Sequence, residues 1–198
     1  IYVPAGGIDT KAGHVAFDDV GKAIAEGVAK LLGDPARAVE VLGAVQNEGV
    51  SKRLDAARGI GQIVLDTQTI AHPAFPQAVV RTPLIVKLDA ADRDQYLSEW
   101  FGPIAFVIGT ASTEESLAIA RDAVVGHGAL TLAVYSRSPA VQERAVELAE
   151  EAGVALSINL TGGVFVNQSA AFSDYHATGA NPAATAWVVA AALASHRS

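Results

Sequence analysis

Glu99 and Phe101 lie on either side of Trp100, directly before a Gly102-Pro103 turn and an apolar run at residues 104–108. The apolar run predicts a buried strand, so these side chains lie at the entrance of that strand. A carboxylate there can accept two hydrogen bonds from a ribose diol, and the phenyl ring beside it can lie against a planar ring. The alternative is a glutamate at a helix end and a phenylalanine in the core, and residue chemistry alone favours this alternative.

A second candidate region follows an apolar run at residues 154–158, which predicts another strand. Residues 159–163 would then lie at the carboxyl end of the strand, where open α/β sheets bind ligands. The long irregular stretch that follows contains Phe165 and Phe172. Long loops in compact domains are usually functional, so these two rings are candidates for a substrate-facing wall. A loop that packs or contacts a second subunit is an equal alternative.

Several other chemistries find no support. Gly59-Ile60-Gly61 follows a predicted helix and precedes a predicted strand, the reverse of the order in a dinucleotide-binding fingerprint, and it has no third glycine. The five histidines lack the spacing of metal ligands, so no metal site is predicted. The chain has no cysteine, so it cannot supply a thiol nucleophile.

Composition limits the partners and the compartment. A net charge of −7 disfavours a surface for nucleic acid or anionic membranes. No apolar stretch is long enough to span a bilayer, and the first residues do not form a secretory signal. These features predict a cytoplasmic protein without nucleic-acid or membrane partners. The complete lack of methionine predicts a fragment of a longer protein.

The elements that position the candidate residues alternate between strand and helix. Apolar runs at residues 104–108, 130–135 and 154–158 predict three strands. The intervening helices begin at a capping box at residues 112–115 and at the Ser138-Pro139 pair. Apolar strands joined by helices are typical of parallel sheets covered on both faces, so the predicted fold class is α/β.

In the first half of the sequence, short apolar runs predict strands at residues 1–3, 62–65 and 84–88. Apolar residues at helical spacing predict helices over residues 17–31 and 50–57. Pro83 lacks a backbone donor, which predicts that the strand beside it is an edge strand or carries a bulge.

Four blocks of the sequence, in order, resemble motifs of the aldehyde dehydrogenase superfamily. Residues 99–103 are similar to its Glu-x-Phe-Gly-Pro motif, and residues 113–120 to the helix after that motif. Residues 127–135 are similar to its Tyr-Gly-Leu-x-Ala-x-Val-Phe block, and residues 152–159 to its Ala-Gly-x-Val-x-x-Asn strand. The resemblance implies that residues 1–198 are part of a catalytic domain with a three-layer, Rossmann-like, mainly parallel sheet.

The resemblance also implies roles for individual residues. Glu99 would hold the nicotinamide ribose of NAD or NADP, and Phe101 would pack near the nicotinamide. Phe172, and less closely Phe165, would line the substrate tunnel. The nucleophilic cysteine and the general-base glutamate would lie upstream of Ile1, so this chain holds no catalytic residue and is expected to be inactive alone.

Residues 156–168 and 171–180 resemble the phenylacetic acid degradation, or PaaN-like, branch of the superfamily. That branch implies an enzyme of aerobic phenylacetate breakdown that oxidises an aldehyde such as a coenzyme A-linked ring-cleavage product. The superfamily as a whole implies a homo-oligomer. The same residues depart from the usual Pro-Phe-Gly-Gly pattern, which leaves open a non-catalytic scaffold or assembly domain. A third alternative is an unrelated Rossmann-like ligand-binding domain.

Overall fold

The computed structural model describes residues 1–129 and 131–161, which form both strands and helices. The chain divides into two units, Ile1–Ser116 and Leu117–Ser198. Phe165 and Phe172, the two residues expected in a substrate pocket, lie outside the described residues.

The first unit contains eight strands and four complete helices. In chain order they are β1 (Tyr2–Pro4), β2 (Ile8–Thr10), β3 (Gly13–Val15), α1 (Phe17–Leu31), α2 (Pro35–Leu42), α3 (Glu48–Ala57), β4 (Gln62–Leu65), β5 (Thr69–Ile70), β6 (Val80–Arg81), β7 (Leu84–Asp89), α4 (Arg93–Tyr96) and β8 (Ile104–Thr110).

Four of these strands form one sheet in the order β1-β8-β7-β4. The β1–β8 and β7–β8 pairs are parallel, and β4 joins β7 antiparallel. The prediction of an α/β fold with a mainly parallel sheet is therefore confirmed. The pairs β2–β3 and β5–β6 form two small antiparallel ladders.

The core of the first unit explains why its central strands are mainly apolar. Ile85 of β7 and Val107 of β8 cluster with Val3, and residues of α1, including Phe17, pack against this cluster. Side chains alternate between the faces of a strand, so Val86 and Ile108 point to the other face, where they are also buried. Both faces of these strands are therefore covered.

The structure corrects the expectation for Pro83. β7 is not an edge strand, because it pairs with β8 on one side and with β4 on the other. Pro83 lies just before the strand, and the ladder begins with Leu84, whose N–H donates to the Pro103 carbonyl (2.8 Å). A shift in register does occur in the β4–β7 pair, but the extra residue is on β4, between Ile63 and Leu65.

The second unit contains a parallel strand pair joined by a helix. Helix α5 (Thr113–His127) enters it from the first unit, followed by β9 (Thr131–Val134), α6 (Pro139–Ala152) and β10 (Ala155–Ile158). β9 and β10 pair in parallel, in register from Ala155 opposite Thr131 to Ile158 opposite Val134. Among the helices that the structure describes, none combines the length and the apolar character needed to span a bilayer.

The starts of the two long helices in this half agree with the predicted caps to different degrees. At α5, the Glu115 N–H donates to the Ser112 hydroxyl (3.1 Å), and the Glu115 carboxylate accepts from the Ala111 N–H. At α6, Pro139 occupies the first helical position, but the Ser138 side chain makes no capping hydrogen bond. Helix α6 ends at Gly153, which adopts the left-handed conformation (φ 66°).

Candidate cofactor site

Glu99 and Phe101 lie in the loop that connects α4 to β8. Glu99 is exposed and lies beyond the end of α4 at Tyr96. The Phe101 side chain is also exposed, at 67% of its accessible surface. The alternative of a core phenylalanine, which residue chemistry alone favoured, is therefore wrong for Phe101.

Trp100, between these two residues, attaches the loop to the protein. Its indole Nε1–H donates to the carbonyl of Gln95 (2.8 Å). The ring meets Phe106 of β8 in an edge-to-face arrangement, with centroids 5.8 Å apart and planes at 80°. Such a contact satisfies the polar atom of the indole and packs its apolar body. The half-buried Trp100 thus fixes the middle of the segment while its neighbours point to solvent.

Gly102 allows the loop to turn closely over α3. Its φ of 152° lies in a region that side-chain-bearing residues rarely adopt, and a Cβ added there would lie 3.1 Å from Val50 Cγ1. The carbonyl of the following residue, Pro103, accepts a hydrogen bond from the Leu84 N–H at the start of β7. The Gly-Pro turn therefore connects the candidate loop to both a helix and the sheet.

Arg53 of α3 holds the same loop and was missed in the sequence. Its Nε–H donates to the carbonyl oxygen of Phe101 (2.7 Å). The two residues are 48 positions apart, and nothing in the local pattern around either one signals the contact. The acceptor is a backbone atom, which every residue carries, so only the folded chain reveals it.

The loop therefore combines a fixed backbone with two exposed side chains that could contact a ligand. The exposed Glu99 carboxylate offers two oxygen acceptors for hydroxyl groups. The Phe101 ring offers a flat apolar surface beside it. These features fit the ribose and the planar ring of a nicotinamide nucleotide.

Two tyrosines pack where the sheet meets the helix that leads into this loop. The rings of Tyr2 (β1) and Tyr96 (α4) meet edge to face with centroids 6.0 Å apart, and the Tyr96 hydroxyl donates to the Ala90 carbonyl. Burial, and next the neighbouring Tyr96, raises the pKa of Tyr2 to about 12, while Arg93 opposes the shift. Burial also raises the pKa of Tyr96. Both hydroxyls therefore stay protonated at neutral pH and act as structural groups.

The remaining sequence candidates have structural explanations. Gly61 is needed because a Cβ there would lie 2.5 Å from the Lys87 carbonyl, so the glycine allows β4 to approach β7. Within residues 1–129 and 131–161, no group of three or more His, Cys, Asp or Glu side chains could hold a metal ion. Asn159 (φ 53°) follows β10, and its amide exchanges two hydrogen bonds with the backbone of Ser136, which joins the ends of β9 and β10.

Comparison with known proteins gives one informative similarity. No model of a protein family matches the chain, and no curated protein matches it. A crystal structure of an NAD-dependent aldehyde dehydrogenase from Burkholderia multivorans is 60% identical over 96% of this chain, with a TM-score of 0.86. The match covers 35% of that protein, so the chain spans about a third of its length. The identity and the shared Rossmann-like α/β fold support the assignment of this chain to the aldehyde dehydrogenase superfamily.

Proposed function

We propose that this chain is the part of an NAD-dependent aldehyde dehydrogenase that holds the nicotinamide ribose. The observation that carries the proposal is the 60% identity to an NAD-dependent aldehyde dehydrogenase over 96% of the chain. The geometry of the loop agrees with it, because Glu99 and Phe101 are exposed on a segment whose backbone is anchored.

The chemistry divides between this chain and residues outside its sequence. Aldehyde oxidation by this class of enzyme needs a thiolate, a hydride acceptor and a base. This chain has no cysteine, so the nucleophile must come from elsewhere in the enzyme. NAD, when bound, accepts the hydride. Glu99 would hold the ribose through its hydroxyls, and Phe101 would limit how the nicotinamide can tilt.

Finer proposals follow from the resemblance to the PaaN-like branch. We propose a homo-oligomeric, cytoplasmic enzyme that acts in phenylacetate breakdown on a coenzyme A-linked aldehyde, with NADP as the alternative cofactor. The residues that carry this resemblance are 156–168 and 171–180, and those from 162 onward, including Phe165 and Phe172, lie outside the described residues. We propose these two rings as walls of the substrate tunnel.

The first test is Glu99→Gln in the complete enzyme that contains this chain. Hydrogen bonds to charged groups contribute about 1.5–3 kcal/mol, so we expect the dissociation constant of NAD to rise, or hydride transfer to slow, by about 10- to 100-fold. Glu40→Gln is the matched control, since Glu40 is an exposed carboxylate at another site of the first unit. Unchanged cofactor binding and turnover in Glu99→Gln would remove the proposed role.

The same assays separate the finer proposals from their alternatives. A higher kcat/KM for a coenzyme A-linked aldehyde than for simple aldehydes supports the PaaN-like branch, and the opposite order contradicts it. NAD and NADP are compared in the same way. A complete protein that binds neither nucleotide and oxidises no aldehyde would favour the non-catalytic scaffold.

A further inference from the structure

One face of α3 supports the loop that carries Glu99 and Phe101. Val50 and Arg53 are three positions apart, so they lie on the same face of the helix. Val50 contacts the position where a Gly102 side chain would be, and Arg53 binds the Phe101 carbonyl. The peptide group between Phe101 and Gly102 is therefore held from two points on a single helix.

The helix itself is a firm support. Leu54 and Ala57 are fully buried and Val50 nearly so, which anchors one side of α3 in the core of the first unit. At its start, the Asn47 side chain accepts a hydrogen bond from the Gly49 N–H (2.7 Å). Arg53 thus projects from a helix that is fixed by a cap and by its buried residues.

The Arg53 contact fixes an orientation that packing alone leaves free. The Phe101 ring is 67% exposed, so few side-chain contacts limit its position. The guanidinium donor makes a charge-assisted hydrogen bond, and such bonds are shorter and stronger than neutral ones. Holding the carbonyl sets the rotation of the 101–102 peptide, and with it the direction of the Phe101 ring relative to Glu99, two residues earlier.

We propose that Arg53 is a positioning residue for the cofactor, because its hydrogen bond to the Phe101 carbonyl preorganises Glu99 and Phe101 to receive the nicotinamide ribose. The proposal rests on the proposed function of this loop. Preorganisation lowers the ordering cost of binding, and small misplacements of a reacting group slow chemistry strongly. Arg53 would act through the loop without touching the cofactor.

The test is Arg53→Met in the complete enzyme, with Arg37→Met as the matched control. Arg37 is an exposed arginine of α2 in the same unit. We expect the dissociation constant of NADH to rise about tenfold, as for the loss of one hydrogen bond to a charged group, while the KM for aldehyde stays within about twofold. Arg37→Met should leave both constants unchanged.

A second readout separates positioning from simple loss of fold. Misplacing the nicotinamide slows hydride transfer, so the primary deuterium isotope effect with a deuterated aldehyde should increase in Arg53→Met. Partial unfolding would lower the active fraction and leave the isotope effect and both constants unchanged. If Arg53→Met is too unstable to purify, Arg53→Lys replaces it, with the same changes expected at smaller size because the ammonium can still donate to a carbonyl.

The outcomes are distinguishable from a failure of the proposed function. If Glu99→Gln impairs NADH binding and the Arg53 variant has normal binding and a normal isotope effect, the inference about Arg53 is wrong and the site stands. If Glu99→Gln also behaves as wild type, the loop does not hold the cofactor and both proposals fail.

Discussion

The backbone and the side chain of Phe101 have different environments in the candidate loop. Its carbonyl is held by Arg53, and its ring is left exposed. Trp100 has the opposite arrangement, because its side chain is the anchor, with the indole bound to the Gln95 carbonyl and packed on Phe106. The side chain of Trp100 is therefore anchored, whereas those of Glu99 and Phe101 on either side of it are exposed. This arrangement gives an exposed but ordered surface, as preorganised binding requires.

Tyr2 supplies a pH-dependent stability term at the residue scale. Its pKa is raised to about 12 from an ordinary value of 10, so folding favours the protonated phenol. This contribution to the free energy of unfolding is present below pH 10 and is lost as pH rises from about 10 to about 12.

We therefore expect urea unfolding to show a falling free energy of unfolding over that range, and a shallower fall in Tyr2→Phe. The slope that remains in the variant includes the contributions of Tyr96 and Lys22, whose pKa values are also raised. Identical pH dependence in wild type and Tyr2→Phe would contradict the assignment.

The sequence correctly predicted that Glu99 and Phe101 precede a strand, because the Gly-Pro turn and the apolar run after it have a recognisable local pattern. It could not decide whether Phe101 was buried, since burial depends on what packs against the loop. Arg53 was out of reach for the same reason, because its partner is a carbonyl 48 residues away. The roles proposed for Phe165 and Phe172 stay predictions.

At the scale of elements, local sequence signals predicted the positions of helices better than they predicted which strands pair with each other. The spacing of Val50, Leu54 and Ala57 predicted α3, and all three are buried in the structure. Helix α2 was missed in the sequence. Its start nevertheless has a local signal, because the Asp34 side chain caps the helix by accepting a hydrogen bond from the Ala36 N–H, and Pro35 occupies the first helical position.

The position of β7 was predicted wrongly because strand order is a non-local property. Pro83 correctly indicated that one backbone donor is missing, but the residue lies outside the ladder. The parallel partner of β7, β8, begins twenty positions later at Ile104, opposite Leu84. No local rule predicts such a pairing, so the sequence left open an edge strand or a bulge, and the folded sheet has no edge at β7.

The N-cap of α3 is testable as an element that supports the loop. Replacing an Asn cap by Ala costs about 0.5–2 kcal/mol, and Asn47→Ala should lower the free energy of unfolding by that amount. Because α3 carries Val50 and Arg53, we also expect weaker NADH binding in the complete enzyme.

Asp34→Ala is the matched control, since Asp34 caps α2 through the same kind of hydrogen bond (3.0 Å). It should cost similar stability in urea unfolding without changing the affinity for NADH. Equal losses of NADH affinity in the two variants would mean that general destabilisation, rather than support by α3, is responsible.

At the scale of the whole molecule, the proposed reaction is divided between this chain and residues outside its sequence. Its sequence is similar to about a third of an NAD-dependent aldehyde dehydrogenase. The described residues include an anchored candidate site for the cofactor ribose. The thiol that this chemistry needs is absent from all 198 residues, because the chain contains no cysteine.

We therefore expect the purified chain to produce no NADH from NAD and aldehyde, while the complete enzyme does. Without a thiolate in the chain, the aldehyde has no covalent attachment from which hydride transfer can proceed. The measurement is NADH formation with a panel of aldehydes, and circular dichroism of the same sample reports whether the chain is folded. The Glu99→Gln variant of the chain, purified in parallel, controls for host dehydrogenases, since activity from a contaminant would be equal in both samples. A contrary result would be turnover by the chain that is reduced in its Glu99→Gln variant. It would show that these 198 residues form a complete active site, and it would contradict the proposal that the nucleophile lies outside this chain.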